Sequence, residues 1–188
     1  MPAVAPTAQH WYPAEMGTES GRGASSLAGL NRILRARAAK ADLELAVPPE
    51  EMRASIGGLG PEQFDNPSRR LVYERLSARA YKSVFDFGCD CGTFARRLIQ
   101  QKPRPRRYLG FDLHLGMIKW CQANLTPFAP AFQFEHHDVF NAGLNPNSEA
   151  RILPFPAKSA SLSLVEAWSV FSHLSPAQSD HVRLISAR

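Results

Sequence analysis

The segment YKSVFDFGCDCG, residues 81–92, constrains the fold more than any other part of the chain. The apolar run Ser83-Val84-Phe85 is typical of a short buried strand, and Asp86 stands at its end. A glycine turn, Gly88 to Gly92, follows and leads into a predicted helix, Thr93 to Gln101. This order of strand, glycine turn and helix lets a backbone approach a nucleotide-like ligand closely.

The acid before the first glycine indicates the kind of ligand that such a turn would bind. A turn that holds a pyrophosphate offers backbone amides to an anion, so a carboxylate there would oppose binding. Asp86 suits a ligand that carries an ammonium group and ribose hydroxyls. The pattern therefore favours S-adenosylmethionine over NAD, and an ordinary strand–turn–helix corner without a ligand is the alternative.

The residues VFDFGCDCG, 84–92, resemble the first motif of the class I S-adenosylmethionine-dependent methyltransferases, of the type 11 and type 12 kind. In that family two hydrophobic residues and an acid precede three glycines at alternate positions. Asp90 replaces the middle glycine, and aspartate is one of the few other residues that tolerate a left-handed backbone. The resemblance implies that the methionine part of the cofactor lies against four residues of this motif: Asp86, Gly88, Cys89 and Gly92.

A second predicted strand, residues 107–112, also ends in an acid. Asp112 lies twenty residues after Gly92. In a βαβ unit this spacing places the carboxylate beside a ribose, where it can accept two hydroxyl hydrogen bonds. Capping of the predicted helix 113–124 is the alternative role for Asp112. The resemblance includes Leu113 in the cofactor site as well.

A third strand is predicted over residues 131–139, with Asp138 near its end. The resemblance implies that Asp138 accepts a hydrogen bond from the adenine amino group and that the backbone amide of Val139 meets the adenine ring. Three acids, each closing an apolar strand, form the pattern on which the assignment depends.

A fourth strand is predicted over residues 161–168 and leads into the segment 169–174. The resemblance implies that Ala167 and Trp168, at the end of this strand, face the methyl group to be transferred. His173 is the candidate for a catalytic base or a substrate contact. The alternative is that His173 has a structural role, at the start of a helix or in the core.

These segments together predict an α/β fold of the Rossmann-like, doubly wound type, with a mainly parallel sheet of about four strands. We expect residues 1–25 to be disordered, residues 26–67 to form a helical N-terminal extension, and residues 68–188 to form the cofactor-binding domain. A helix over 68–80 is expected before the first strand. The resembling family has further strands after the fourth, so we expect a truncated domain whose exposed sheet edge favours self-association.

Composition and charge narrow the classes of partner. No apolar run approaches the roughly 20 residues that span a bilayer, and the N-terminus lacks the pattern of a secretory signal, which favours a cytoplasmic protein without a membrane anchor. The net charge is +5, but the basic run 102–107 has no interleaved aromatic residues, so nucleic-acid binding is not expected. The spacing Cys89-x-Cys91 is closer than that of paired cysteines in zinc sites, and no metal is expected.

The predicted function is transfer of a methyl group from S-adenosylmethionine to an unidentified acceptor, for which a small molecule is expected. The sulfonium makes the methyl carbon electrophilic and the acceptor attacks in line, so such an enzyme acts chiefly by holding both reactants close and aligned. Two alternatives stay open: a catalytically silent remnant that binds S-adenosylmethionine, and an NAD-binding Rossmann protein.

Overall fold

The computed structural model describes residues 45–154 and 161–170, and Gly29 besides. All of these except Gly29 belong to one compact unit, residues 38–188. His173 and the predicted helical residues before Leu45 other than Gly29 lie outside the described part of the chain.

The centre of the fold is a parallel sheet of four strands. The strands are β1 (Ser83–Phe87), β2 (Arg107–Asp112), β3 (Phe132–His136) and β4 (Leu164–Glu166), in the spatial order β3-β2-β1-β4. All three pairings are parallel, and β4 pairs with β1. The predicted Rossmann-like α/β fold class is therefore confirmed. The chain moves outward from β1 to β3 and returns to the other side of β1, which makes β1 the point where the strand order reverses.

Within residues 45–154 and 161–170, three α-helices and two short 3-10 turns accompany the sheet. Helix α1 is Glu50–Ser55, α2 is Thr93–Gln100 and α3 is Leu115–Asn124. Helix α2 connects β1 to β2, and α3 connects β2 to β3, which is the arrangement that parallel neighbours require. The 3-10 turns are Pro61–Phe64 and Ala78–Tyr81.

The core forms where the strands are buried along most of their length. Four consecutive residues of β1, Ser83 to Asp86, are buried, as is typical of a strand in a parallel sheet. Tyr108 of β2 stacks on Phe132 of β3, with ring centroids 4.8 Å apart. Leu98 and Ile99 of α2 are fully buried in the same cluster. Each such side chain contributes roughly 1.5–3 kcal/mol relative to an exposed one, so burial of the strands and α2 fixes the frame of the domain.

Residues 45–67 pack onto this frame as well. Phe64 is fully buried with Cys91 and Met117 in a second cluster. Arg96 of α2, buried, donates to Oδ1 of Asp65 at 2.5 Å and to the carbonyl of Leu45 at 2.8 Å. These contacts hold the segment before β1 against the glycine turn and α2.

The predicted helix over residues 68–80 is wrong. The segment is a series of turns, and side chains from elsewhere take the backbone groups that a helix would use. Gln101 accepts from the amide of Val72 at 2.8 Å, and the hydroxyl of Tyr81 accepts from the amide of Tyr73 at 2.7 Å. Such bonds offer the backbone an alternative to the helical pattern, and helical propensity does not reveal them.

The third and fourth strands are shorter than predicted. Strand β3 ends at His136, and hydrogen bonds within the following loop involve Asp138. The carboxylate of Asp138 accepts from the side-chain amide of Asn145 at 2.9 Å, and its backbone carbonyl accepts from the Ser148 hydroxyl at 2.7 Å. Strand β4 has three residues and ends the sheet within the described part of the chain. Self-association through this edge stays a prediction.

No helix within residues 45–154 and 161–170 has the length and apolar character that crossing a membrane requires.

Candidate functional site

A cavity of about 630 Å³ lies at the carboxyl ends of the four strands. Its wall includes residues that follow or end each strand: Gly88 after β1, Asp112 in β2, Val139 after β3 and Trp168 after β4. In an open parallel sheet, ligands bind in the crevice outside these ends, at the point where the strand order reverses. The cavity is therefore at the position where this fold binds small molecules.

The glycine turn between β1 and α2 forms one side of the cavity. Gly88, Asp90 and Gly92 all have left-handed backbone conformations, with φ of +82°, +46° and +85°. A Cβ at Gly92 would lie 2.6 Å from Cδ1 of Leu125, so a side chain there would meet both strain and a steric clash. The prediction that Asp90 can replace the middle glycine in a left-handed conformation is confirmed.

Hydrogen bonds attach this turn to the end of β2. The amides of Gly88 and Cys89 both donate to the carbonyl of Phe111, at 2.9 and 3.1 Å. The amide of Asp90 then donates to Oδ2 of Asp112 at 3.0 Å. Three successive amides of the turn thus fix its position relative to the carboxylate of Asp112.

Asp112 lines the cavity. Its other oxygen, Oδ1, accepts from the amide of His114 at 2.8 Å. Burial raises the pKa of Asp112, and the hydrogen bonds from His114 and Asp90 oppose that rise. The N-cap of α3 is His114, whose Nδ1 accepts from the amide of Met117, so the capping alternative does not describe Asp112. Each carboxylate oxygen accepts one amide here and keeps capacity for a second donor.

Asp90 is a second acid on the cavity wall, and sequence reasoning did not include it among the site residues. Its Oδ1 accepts from the amide and the hydroxyl of Thr93, at 3.1 and 3.0 Å. This places a carboxylate at the start of α2, where the helix dipole favours negative charge. Burial is the main cause that raises the pKa of Asp90 to about 7, and the Asp112 carboxylate adds to the rise.

Asp86 does not line the cavity. It is 3% exposed, and Tyr108 donates its hydroxyl to Oδ2 of Asp86 at 2.5 Å. Gly110 makes this possible, because a Cβ there would lie 2.9 Å from the Tyr108 hydroxyl. Burial raises the pKa of Asp86 well above its usual range, and the bond from Tyr108 offsets part of that rise.

Arg151 brings positive charge to the cavity wall, opposite in sign to the two acids. Its guanidinium carbon lies 3.8 Å from the centre of the Phe140 ring, at cation–π distance. His137 also lines the cavity and meets Phe111 edge-on, with ring centroids 4.6 Å apart. Nothing in the sequence pattern distinguished Arg151 from other surface arginines.

The three cysteines, Cys89, Cys91 and Cys121, are buried and unpaired. The Sγ atoms of Cys89 and Cys121 both lie 3.8 Å from the carbonyl oxygen of Asp90. Burial raises the pKa of all three thiols, which disfavours the thiolate form that binds metals. Among the residues that the structure describes, no three His, Cys, Asp or Glu side chains are grouped to hold a metal ion.

The structure brings about half of the predicted site residues to the cavity: Gly88, Asp112, Leu113, Val139 and Trp168. The others that are described do not line it: Asp86, Cys89, Gly92, Asp138 and Ala167. Asp138 is exposed and directed to Asn145, whose hydrogen bond is the main cause that lowers its pKa. The cavity is also lined by residues that were not predicted, among them the acid Asp90, the cation Arg151 and the apolar residues Phe87 and Phe111.

No protein-family model matches the chain, and no solved structure matches it. Fold and site together define a parallel α/β protein with a cavity at the carboxyl ends of its strands.

Proposed function

We propose that this chain binds S-adenosylmethionine in the cavity and transfers its methyl group to an acceptor. The observation that carries the proposal is the position of Asp112. Asp112 ends β2 and lines the cavity, and its carboxylate accepts a hydrogen bond from the amide of Asp90 in the adjoining glycine turn. An acid at the end of the second strand of a βαβ unit is the group that accepts hydrogen bonds from ribose hydroxyls.

The hydrogen-bonding capacity of Asp112 fits a ribose. Oδ1 and Oδ2 each accept one backbone amide, from His114 and Asp90, and a carboxylate oxygen can accept a second donor. The two amides also fix the direction of the carboxylate. A pair of hydroxyls would therefore meet acceptors that are already oriented, which lowers the entropic cost of binding.

The charge at the turn supports S-adenosylmethionine over a dinucleotide. A pyrophosphate would need free amides at the start of α2, but the Asp90 carboxylate already accepts from the amide of Thr93. Asp90 and Asp112 both line the cavity and would repel a diphosphate. A ligand that carries positive charge near its ribose suits this arrangement.

The remaining walls would suit the other parts of the ligand. Phe111, Leu113 and Val139 offer apolar surface for a planar base, and Arg151 could pair with the carboxylate of the methionine part. Bound S-adenosylmethionine supplies an electrophilic methyl group, and the residues of the chain contribute its position and the exclusion of water. Trp168, 80% exposed at the cavity, offers an apolar surface to the acceptor.

Titration calorimetry with S-adenosylmethionine, S-adenosylhomocysteine and NADH tests the binding step. We expect micromolar binding of both adenosyl ligands, a loss of roughly tenfold or more in Asp112→Ala, and no binding of NADH. Glu51→Gln is the control, because Glu51 is exposed on α1 and does not line the cavity. Binding of NADH in place of the adenosyl ligands would overturn the proposal.

Methyl transfer is tested separately, with labelled S-adenosylmethionine and a panel of small acceptors. Formation of S-adenosylhomocysteine that depends on both acceptor and Asp112 supports the enzymatic part of the proposal. Binding without transfer to any acceptor would reduce it to a silent binding protein.

A further inference from the structure

Three acids lie in or beside the glycine turn, and they differ in what they face. Asp86 is buried and bonded to Tyr108, away from the cavity. Asp112 lines the cavity at the ribose position. Asp90 also lines the cavity, from the middle of the turn. The motif has a glycine at this position and therefore implies no ligand-binding role for an acid there.

The direction of the Asp90 side chain is fixed. Its left-handed backbone sets the orientation of Cβ, and Thr93 holds both carboxylate oxygens, with Oδ2 accepting from the Thr93 hydroxyl at 3.1 Å. Hydrogen bonds from the Thr93 amide and hydroxyl also support the ionised form. The side chain is therefore held in place on the cavity wall, and its carboxylate is a negative charge there above its pKa of about 7.

Asp90 is also adjacent to the acid that would bind the ribose. The amide of Asp90 donates to Oδ2 of Asp112, so the two residues are in direct contact. Two carboxylates in a partly dry site repel each other, and a cation placed with them removes that cost. Among the described wall residues, Arg151 is the one arginine, and no ion pair joins it to either acid.

We infer that Asp90, rather than Asp86, supplies the carboxylate that meets the positive charge of the ligand. The inference rests on the proposed function and assigns one part of it to a residue. S-adenosylmethionine carries two cationic groups, the methionine ammonium and the sulfonium attached to the ribose carbon. Asp90 recognises one of these charges, and the choice between them decides whether the site distinguishes substrate from product.

Three ligands separate these charges. S-adenosylmethionine has both the ammonium and the sulfonium, S-adenosylhomocysteine has the ammonium alone, and methylthioadenosine has neither. All three share the adenosine part, for which Asp112 is the proposed partner. Binding of each is measured by calorimetry for the wild type, for Asp90→Asn and for Asp90→Gly.

The two variants remove the charge in different ways. Asparagine keeps an oxygen that can accept from the amide of Thr93, so the start of α2 retains its partner. Glycine removes the side chain and suits the left-handed backbone at φ +46°. Glu51→Gln, which removes one exposed negative charge away from the cavity, is the matched control.

We expect both Asp90 variants to weaken S-adenosylmethionine roughly tenfold and to change methylthioadenosine less than about twofold. An equal loss for S-adenosylhomocysteine identifies the ammonium as the partner, and an unchanged affinity for it identifies the sulfonium. The inference is overturned if S-adenosylmethionine binds the variants as it binds the wild type, or if methylthioadenosine weakens as much. Absence of wild-type binding to all three ligands would reject the proposed function itself, and the inference with it.

Discussion

Tyr108 donates its hydroxyl to Asp86 across 2.5 Å, between neighbouring strands of the sheet. The two side chains can meet because Gly110, the partner of Asp86 in the parallel register, has no side chain between them. The hydroxyl satisfies a carboxyl group that is almost completely buried. This bond makes Asp86 part of the structural core, whereas Asp90 and Asp112 line the cavity.

Tyr108→Phe is expected to lower the free energy of unfolding by about 1–3 kcal/mol, because Asp86 would then be buried without its partner. Urea unfolding at neutral pH measures this change. The double variant with Asp86→Asn serves as the control, since removing the acid should abolish most of the effect of the hydroxyl. A loss from Tyr108→Phe that is unchanged in the Asn background would contradict the assignment.

Asp90→Asn is expected to change how stability depends on pH. Burial, with the repulsion of Asp112, raises the pKa of Asp90 from 3.8 to about 7. The folded protein therefore holds this proton more tightly than the unfolded chain, so the contribution of Asp90 to stability falls as the pH rises from about 4 to about 7 and is constant above that.

The variant lacks this titration, so its stability relative to wild type should increase across the same range, to a difference on the order of 4 kcal/mol. Urea unfolding of both proteins at several pH values between 4 and 8 measures the difference. Asp86 and Asp112 titrate in both proteins, and their contributions therefore cancel to a first approximation. A difference that does not vary with pH would show that Asp90 does not titrate in this window.

Gly92→Ala is expected to destabilise the protein more than Gly58→Ala. Both glycines have positive φ, +85° and +71°, so both substitutions add backbone strain of about 1 kcal/mol. At Gly92 the added Cβ would also lie 2.6 Å from Cδ1 of the buried Leu125, whereas at Gly58 it meets nothing within 4 Å. We expect a total near 2–4 kcal/mol for Gly92→Ala, measured by thermal or urea unfolding. Equal losses would show that the core around Leu125 adapts without cost.

Asp65→Asn is expected to lower the free energy of unfolding by about 1–3 kcal/mol. The guanidinium of Arg96 is 3% exposed and would lose its negatively charged partner, which is costly for a buried cation. Glu74→Gln is the matched control, because it breaks the Arg70–Glu74 pair, whose side chains are 74% and 69% exposed. Such exposed pairs contribute less than about 1 kcal/mol, so a similar loss from both substitutions would contradict the buried role of Arg96.

The sequence was sufficient to predict the sheet and part of the site, because both depend on local patterns. Apolar runs that end in acids predict β1 and β2, and the distance of twenty residues from Gly92 predicts that Asp112 belongs to the site. The direction of Asp86 could not be predicted in this way. It depends on Tyr108 of the neighbouring strand and on the space left by Gly110, which are contacts between distant parts of the chain.

Side-chain contacts that local patterns do not reveal also explain the other differences between the predicted and the observed structure. In the predicted helix over residues 68–80, the amides of Val72 and Tyr73 donate to the side chains of Gln101 and Tyr81. The periodicity of the sequence does not indicate either contact. The family resemblance assigns Asp138 to the adenine, near the end of a strand predicted to reach Val139, but β3 ends at His136. The loop instead closes on itself through Asn145.

Three consecutive amides of the glycine turn, those of residues 88–90, donate to the carbonyl of Phe111 and the carboxylate of Asp112. These bonds join the turn to the tip of β2, so main-chain hydrogen bonds set the separation between Asp90 and Asp112. A molecule that contacted both acids at once would have to match that separation.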